Sequence, residues 1–180
     1  MAEGVTLLGK GRFIRLLRKP DGWEYAERVG TTGAVVIAGV TTDEKIILVE
    51  QFRPPLNANV LELPAGLAGD EEEHGADESM KKAARREFFE ETGYEADELI
   101  FVLEGPCSPG LSNETFTLFW ANGLNKTGAG GGVGQENITT HEISVAVVES
   151  WLNEQISRGL VVDPKVFLAL YFYNKNLKRT

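Results

Sequence analysis

Short apolar runs separated by polar turns dominate the chain, and most of them have the composition of β-strands. Residues 33–40 (GAVVIAGV) and 45–52 (KIILVEQF) are rich in β-branched side chains and flank the polar stretch TTDE. This arrangement is typical of core strands. Residues 60–66, 99–105 and 114–121 show similar strand character. The pattern therefore predicts a core built on β-sheet.

Further strands are predicted near both ends of the chain, and a Gly-rich loop precedes the last of them. Residues 1–29 contain two alternating segments joined by KPDG, which predicts a hairpin. Residues 143–148 (ISVAVV) predict a last strand. Residues 127–142, directly before this strand, are Gly-rich and predict a mobile loop. No Gly-Lys-Ser/Thr follows these glycines, so the loop is not a phosphate-binding P-loop.

Three segments predict helices. The first runs from about Glu78 to Thr92, with Asp77 as N-cap, Gly93 as the stop, and a core-facing stripe formed by Met80, Ala84 and Phe88. The second covers about 149–158, and the third starts at the N-cap Asp163 with Pro164 in the first helical position. Because strands and helices alternate irregularly, we expect α/β layers and not a regular doubly wound sheet.

Composition narrows the possible functions. The chain has 180 residues, 42% of them apolar, which is ordinary for one globular domain. A net charge of −9 argues against a nucleic-acid partner. No apolar run reaches the roughly 20 residues that span a bilayer, and the N-terminus lacks a signal pattern. Cys107 is the only cysteine, which excludes an internal disulfide. We expect a cytoplasmic protein.

The segment REFFEETGY, residues 86–94, places three glutamates, Glu87, Glu90 and Glu91, on one side of the first helix. Like charges at this spacing repel each other by a few tenths of a kcal/mol per pair. One explanation is a solvated acidic face paired with nearby lysines and arginines. The other is a site for a hard divalent cation such as Mg²⁺, which prefers carboxylate oxygens and would cancel the repulsion.

The wider motif resembles the signature of the Nudix hydrolases, G-x5-E-x7-R-E-U-x-E-E-x-G-U, where U is a bulky apolar residue. Glu78 precedes REFFEETGY by seven residues, and Phe88 and Tyr94 occupy the two U positions. Gly66 precedes Glu78 by eleven residues and not five, which we interpret as a six-residue loop insertion. The alternative first glutamate, Glu72, would keep the glycine spacing but lose the spacing to Arg86.

Three further blocks are similar to the ADP-ribose and ADP-sugar pyrophosphatases of this family: VEQFRPPL (49–56), LELPAG (61–66) and SPGLSNE (108–114). The resemblance implies an α/β fold, a Nudix α/β/α sandwich with a mixed sheet. It also implies an N-terminal β extension, residues 1–30, that carries antiparallel strands used in dimerisation, followed by a hydrolase domain over residues 31–180.

The resemblance implies a role for each site residue. Metal ligands would be Glu87, Glu91 and the carbonyl of Ala65, with Glu90 a ligand through water or an orienting residue and Arg86 holding the carboxylates. Substrate contacts would come from Arg53 on the diphosphate or distal ribose, Glu114 on the distal sugar or its loop, Trp23 stacked on adenine, and Phe13 as a second stacking face from the partner subunit. Alternatively, Arg53 forms a surface salt bridge and Phe13 belongs to the core.

The implied reaction is Mg²⁺-dependent hydrolysis of a nucleoside diphosphate sugar, and Mn²⁺ is expected to substitute. A general base is expected on the loop before the last strand, where Glu142 is the first choice, Glu136 the second, and His141 a third option. The substrate is expected to be ADP-ribose or another ADP-sugar, or alternatively nucleoside diphosphate sugars broadly, including GDP-mannose and UDP-sugars. A catalytically dead sensor would have lost the glutamates, and the acidic surface argues against an RNA-decapping enzyme.

Overall fold

The computed structural model describes residues 4–69, 79–134 and 136–175. In chain order the elements are β1 (Thr6–Lys10), β2 (Ile14–Arg18), β3 (Glu24–Arg28), β4 (Gly33–Gly39), β5 (Lys45–Arg53), a 3-10 turn (Pro54–Leu56), β6 (Ala58–Glu62), β7 (Ala65–Ala68), α1 (Met80–Thr92), β8 (Tyr94–Pro106), β9 (Thr115–Lys126), β10 (Thr139–Ser144), α2 (Val148–Ser157), β11 (Val161–Val162) and α3 (Pro164–Asn174). Within the described ranges these strands form three sheets.

The N-terminal strands form a sheet of their own, in the order β1-β2-β3. The hairpin predicted around KPDG is confirmed: β2 and β3 pair antiparallel, and the Gly22 amide closes the turn onto the Lys19 carbonyl at 2.9 Å. Strand β1 adds a third antiparallel strand to the hairpin. This small sheet continues through residues 29–32 into β4, which belongs to the main body of the protein.

Two four-stranded sheets form the main body, in the orders β7-β4-β9-β8 and β10-β5-β6-β11. The first is mixed, because β4 runs parallel to β9 and antiparallel to β7. Strand β4 explains the layering, since successive side chains of a strand point to opposite faces. Val35 and Ile37 pack towards α1, whereas Val36 and Ala38 pack towards α2 and α3. The predicted α/β/α sandwich with a mixed sheet is confirmed.

Helix α1 buries the predicted stripe against β4, β7 and β8. Ala84 and Phe88 are fully buried and Met80 packs at the edge of the same cluster. The helix begins two residues later than predicted, because the Ser79 hydroxyl accepts a hydrogen bond from the Lys82 amide and acts as the N-cap. Asp77 and Glu78 lie outside the described residues. The predicted stop at Gly93 is confirmed, with φ of +74°.

The structure corrects two predictions near the C-terminal part of the fold. The last predicted strand, 143–148, lies earlier: β10 spans Thr139–Ser144, and its pairing with β5 ends where Ser144 meets Lys45. The Gly-rich segment is docked on the end of α1 by hydrogen bonds and does not stand apart as a free loop. The N-cap of α3 at Asp163 is confirmed. No helix of the described residues is long and apolar enough to cross a membrane.

Candidate active site

Glu91 is a buried carboxylate at the last turn of α1, with only 4% of its surface exposed. Its Oε2 accepts a hydrogen bond of 3.0 Å from the amide of Ala65, at the start of β7. Burial raises its pKa from 4.5 to about 8, the Ala65 amide opposes that rise, and the nearby carboxylates Glu87 and Glu136 add to it. Arg53 lowers the pKa only weakly. A positive charge placed here would therefore be strongly favoured.

Glu87 lies one helical turn before Glu91 and reaches the same strand. A Cβ atom on Gly66 would stand 1.9 Å from the Glu87 carboxyl carbon, so only glycine leaves room for this carboxylate. Glu87 and Glu91 therefore both meet the Ala65–Gly66 backbone, from one face of α1. The sequence prediction that these two side chains and Ala65 come together is consistent with this geometry.

Arg86 holds two of the helix glutamates and ties them to β7. Its Nη1 lies 3.0 Å from Glu87 Oε1 and 3.2 Å from Glu90 Oε2, and its Nη2 donates to the Leu67 carbonyl at 3.1 Å. The guanidinium thus spans helix and strand with a geometry that a lysine cannot reproduce. This arrangement fits the predicted structural role of Arg86 and an orienting role for Glu90.

The residues at this point suit a divalent cation of the Mg²⁺ type. Such an ion often takes one or two carboxylates from the protein and its remaining ligands from substrate phosphate and water. Glu87 and Glu91 supply the carboxylates, and their mutual repulsion in a buried setting calls for a cation. Among the residues that the structure describes, no group of three or more acidic, His or Cys side chains stands ready as a metal cluster.

A cleft of about 320 Å³ opens beside the Ala65–Gly66 backbone. It is lined by Arg53, which is paired with Glu62 at 2.7 Å, and by Glu114, which is paired with Arg28 at 2.5 Å. Arg53 therefore forms the salt bridge of the alternative prediction and also lines the cleft. Glu114 lines the same cleft and lies directly before the first residue of β9.

Trp23 and Phe13 lie on the N-terminal sheet and not in this cleft. Trp23 is 57% exposed and lines a second cavity of about 370 Å³ together with Tyr25 and Asn113. Phe13 is 62% exposed in the turn between β1 and β2, with the Arg12 guanidinium 4.9 Å above its ring. A core role for Phe13 is thus wrong. Both aromatic side chains are thus exposed, and the Arg12 guanidinium covers one face of the Phe13 ring.

Of the three residues predicted as a general base, Glu136 is the one whose charge acts on Glu91. Its Oε2 accepts a hydrogen bond of 2.9 Å from the Val133 amide. It also lines a cavity of about 330 Å³ with Gln51 and Phe52 at the end of β5. The structure therefore favours Glu136 over the first choice made from the sequence.

Glu142 lies further along β10, beyond the end of α1. Thr140 donates its hydroxyl to the Glu91 carbonyl at 3.1 Å, and Glu142 is two residues further on the same face. There it pairs with Lys126 at 2.8 Å and Lys45 at 3.7 Å. The hydrogen bond from Lys126 is the main reason that the pKa of Glu142 is lowered. Its role as the base stays a prediction without support from these contacts.

His141 points to the opposite face of the sheet. It lies opposite Leu48, whose side chain belongs to the core under α2 and α3, and residues paired across strands share a face. Its Nε2 lies 3.0 Å from Glu50 Oε2, and its ring packs 5.6 Å from that of Trp151. Strand alternation thus turns His141 away from α1 and its carboxylates.

Sequence reasoning missed the backbone groups of the site. It did not assign the Gly66 contact with Glu87, the Leu67 carbonyl that holds Arg86, or the glycines docked on the end of α1. The signal available was the glycine run at 128–132 and the glycine in LPAG. Glycine marks a close backbone approach, but the sequence does not say what approaches.

Comparison with protein families agrees with this geometry. Residues 30–163 match the model of the NUDIX domain. The chain is therefore a member of the Nudix family of hydrolases. Among solved structures, an ADP compounds hydrolase aligns with a TM-score of 0.70 and 21% identity, covering 98% of this chain and 92% of that one. At that identity the likeness concerns the fold.

Curated relatives carry several different names. A methanol dehydrogenase activator from Bacillus methanolicus is 32% identical over 90% of this chain and 85% of its own length. An ADP-ribose pyrophosphatase from Bacillus subtilis is 40% identical over 55% of this chain and 50% of its own length. A GDP-mannose pyrophosphatase from Escherichia coli K12 is 31% identical over 78% of this chain and 72% of its own length.

Proposed function

We propose that this protein hydrolyses the diphosphate bond of ADP-ribose and related ADP-sugars to AMP and a sugar phosphate, with Mg²⁺ as cofactor and Mn²⁺ as a substitute. The observation that carries the proposal is the meeting of Glu87 and Glu91 at the Ala65–Gly66 backbone, which lines the same cleft as Arg53. The name of the Bacillus subtilis relative supports the choice of ADP-ribose.

Each residue then has a defined task. Glu87, Glu91 and the Ala65 carbonyl would hold the cation, while Arg86 fixes the carboxylates of Glu87 and Glu90. Bound Mg²⁺ would stabilise the charge on the diphosphate and lower the pKa of a water molecule. A water molecule would attack one phosphorus while the bond from that phosphorus to the bridging oxygen breaks, and the other phosphate would leave with the bridging oxygen.

Glu136 accepts the proton of the attacking water in this proposal. General base catalysis of this kind typically contributes about 10²–10⁴ in rate. Arg53 provides positive charge for the diphosphate from the cleft side, at the cost of weakening its pair with Glu62.

A broader specificity is the second candidate. The GDP-mannose pyrophosphatase matches 78% of this chain, against 55% for the ADP-ribose pyrophosphatase. An exposed Trp23 would stack on any base, because stacking alone does not distinguish bases. Under this alternative the enzyme recognises the diphosphate and accepts ADP-, GDP- and UDP-sugars.

The remaining parts of the proposal concern assembly and location. The N-terminal extension, residues 1–30, which carries the sheet β1-β2-β3, is proposed to pair two copies of the chain, with Trp23 and Phe13 stacking on the base and Glu114 near the distal sugar. Apolar side chains exposed on this sheet, among them Leu7, Leu16 and Phe13, support an interface there. The single Cys107 is consistent with a cytoplasmic enzyme. No nucleic acid or membrane partner is proposed.

The test is a substrate comparison. Purified protein with Mg²⁺ is incubated with equimolar ADP-ribose, ADP-glucose, GDP-mannose and UDP-glucose, and products are followed by anion-exchange chromatography, with the Glu91→Gln protein as control. AMP and ribose 5-phosphate appearing well ahead of the other products would support the first candidate. Similar rates for all four would favour the broad hydrolase. Turnover that is equal in the control would refute both.

A further inference from the structure

The C-terminal end of α1 is covered by the glycine segment, defined here as residues 128–134. The last carbonyls of a helix have no partner within the helix. Here the Gly131 amide donates to the Glu91 carbonyl at 2.8 Å, and the Gly132 amide donates to the Glu90 carbonyl at 3.0 Å. The segment is thus attached to the same two residues whose side chains belong to the site.

The fit of this segment requires glycine. Gly130 and Gly132 have φ of +70° and +85°, which other residues rarely adopt. A Cβ on Gly130 would lie 2.5 Å from the Thr92 carbonyl carbon, and one on Gly132 would lie 2.7 Å from both Cβ and Oε2 of Glu136. The backbone therefore approaches the helix on one side and Glu136 on the other.

The same segment orients the Glu136 carboxylate. The amide of Val133, directly after Gly132, donates to Glu136 Oε2 at 2.9 Å, and the Glu136 amide donates back to the Val133 carbonyl at 3.1 Å. The Ile138 amide closes onto the Gly131 carbonyl at 3.2 Å. These hydrogen bonds connect Gly131 and Gly132, which bind the end of α1, to the carboxylate of Glu136.

We propose that Gly131 and Gly132 are positioning residues, which fix the Glu136 carboxylate relative to Glu91 by binding the terminal carbonyls of the metal-ligand helix. The inference rests on the proposed function, in which Glu136 is the base. Its physical basis is that the helix, the docked segment and the base move as one body. A displacement of about 1 Å at a reacting group can cost roughly 10²-fold in rate.

The decisive variant is Gly132→Ala, with Gly134→Ala as its matched control. Both glycines have positive φ, but a Cβ on Gly134 would meet nothing within 4 Å. Backbone strain is thus common to both variants, whereas only Gly132→Ala pushes on Glu136. We expect kcat to fall about 10²-fold in Gly132→Ala and less than about 5-fold in Gly134→Ala, with KM and the Mg²⁺ concentration for half activity unchanged in both.

A double-mutant cycle separates positioning from general damage. In the Glu136→Gln background the base is already lost, so adding Gly132→Ala should lower kcat by less than about 3-fold. Thr140→Val offers a second anchor variant without backbone strain, since it removes only the hydroxyl bonded to the Glu91 carbonyl. It should lower kcat by about 5-fold in the wild type and have little effect with Glu136→Gln. Thermal melting reports whether each variant is folded.

Each outcome bears on the proposal. Equal losses in Gly132→Ala and Gly134→Ala, or a loss that persists in full with Glu136→Gln, would overturn it while leaving the hydrolase function intact. If Gly132→Ala does not fold, an effect of Thr140→Val that is the same with and without Glu136 would overturn it. Wild-type protein that cleaves none of the four nucleotide sugars would refute the proposed function itself, and the positioning role with it.

Discussion

Glu91 in α1 and Glu142 in β10 are two glutamates with opposite surroundings. Glu91 is almost fully buried, receives one amide hydrogen bond, and has a pKa raised to about 8. Glu142 is 28% exposed on its side chain, contacts Lys126 and Lys45, and has a lowered pKa.

The difference shows how the surroundings of a carboxylate decide whether its charge is balanced within the protein. The charge of Glu142 is balanced within the protein, so its ion pairs contribute modestly to stability and leave little field for a ligand. The charge of Glu91 is not balanced, because desolvation and two nearby carboxylates raise its pKa by more than the Ala65 amide and Arg53 lower it. Such a group has most to gain from a bound cation.

The largest effect is expected from Glu91→Gln. Gln keeps the size of the side chain and can still accept the Ala65 hydrogen bond, but it removes the charge that a cation requires. We expect kcat to fall by at least about 10³-fold, with the circular dichroism spectrum unchanged. Steady-state kinetics with saturating Mg²⁺ measure this. Near-normal turnover would break the assignment of Glu91 as a ligand.

A smaller loss is expected from Gly66→Ala, which tests the close approach of β7 to α1. The new Cβ would occupy the position of the Glu87 carboxyl group and displace it. We expect roughly a 10²-fold lower kcat/KM and a higher Mg²⁺ requirement, because one ligand is misplaced. A Mg²⁺ titration of activity checks it, with Gly110→Ala as control, since a Cβ there would contact nothing within 4 Å. Equal effects of both substitutions would contradict the prediction.

Without metal, stability should depend on pH through Glu91. Its folded pKa of about 8 lies above the ordinary value of 4.5, so deprotonation disfavours the fold, and stability is lost as pH rises from 4.5 to 8. Glu91→Gln avoids this loss. In EDTA its Tm should exceed that of the wild type by about 5–10 °C at pH 8 and by much less at pH 5. A difference independent of pH would show that Glu91 does not titrate in this range.

The smallest effects are expected from Glu142→Gln. A lowered folded pKa stabilises the protein above the ordinary pKa and loses this contribution as pH falls. The Tm of the variant should be about 1–3 °C below that of the wild type at pH 7 and the same as that of the wild type at acidic pH. Its activity should stay within about 2-fold of wild type. A loss of activity as large as that of Glu136→Gln would reverse the comparison and restore Glu142 as the base.

Local patterns predicted most of the elements. The α1 stripe, the Gly93 stop, the Asp163 cap and the core strands follow from side-chain periodicity and capping chemistry, which act over a few residues. The N-cap of α1 is Ser79 and not the predicted Asp77, because the Ser79 hydroxyl accepts the hydrogen bond of the first helical turn. The last strand was placed too late because its apolar residues, 143–148, extend past the point where β5 can pair with them.

The sequence by itself determined the helix that carries Glu87, Glu90 and Glu91, because glutamates three and four residues apart share a helix face whatever surrounds them. Its wider motif indicated the family. Only the tertiary structure decided which other groups meet that face. Strand alternation directs His141 to the other face, Lys126 and Lys45 pair with Glu142, and the Ala65 amide binds the Glu91 carboxylate. The amides of Gly131 and Gly132 dock the segment before Glu136 on the end of α1. These contacts join residues distant in the chain, and their selection depends on register and desolvation, which no local pattern encodes.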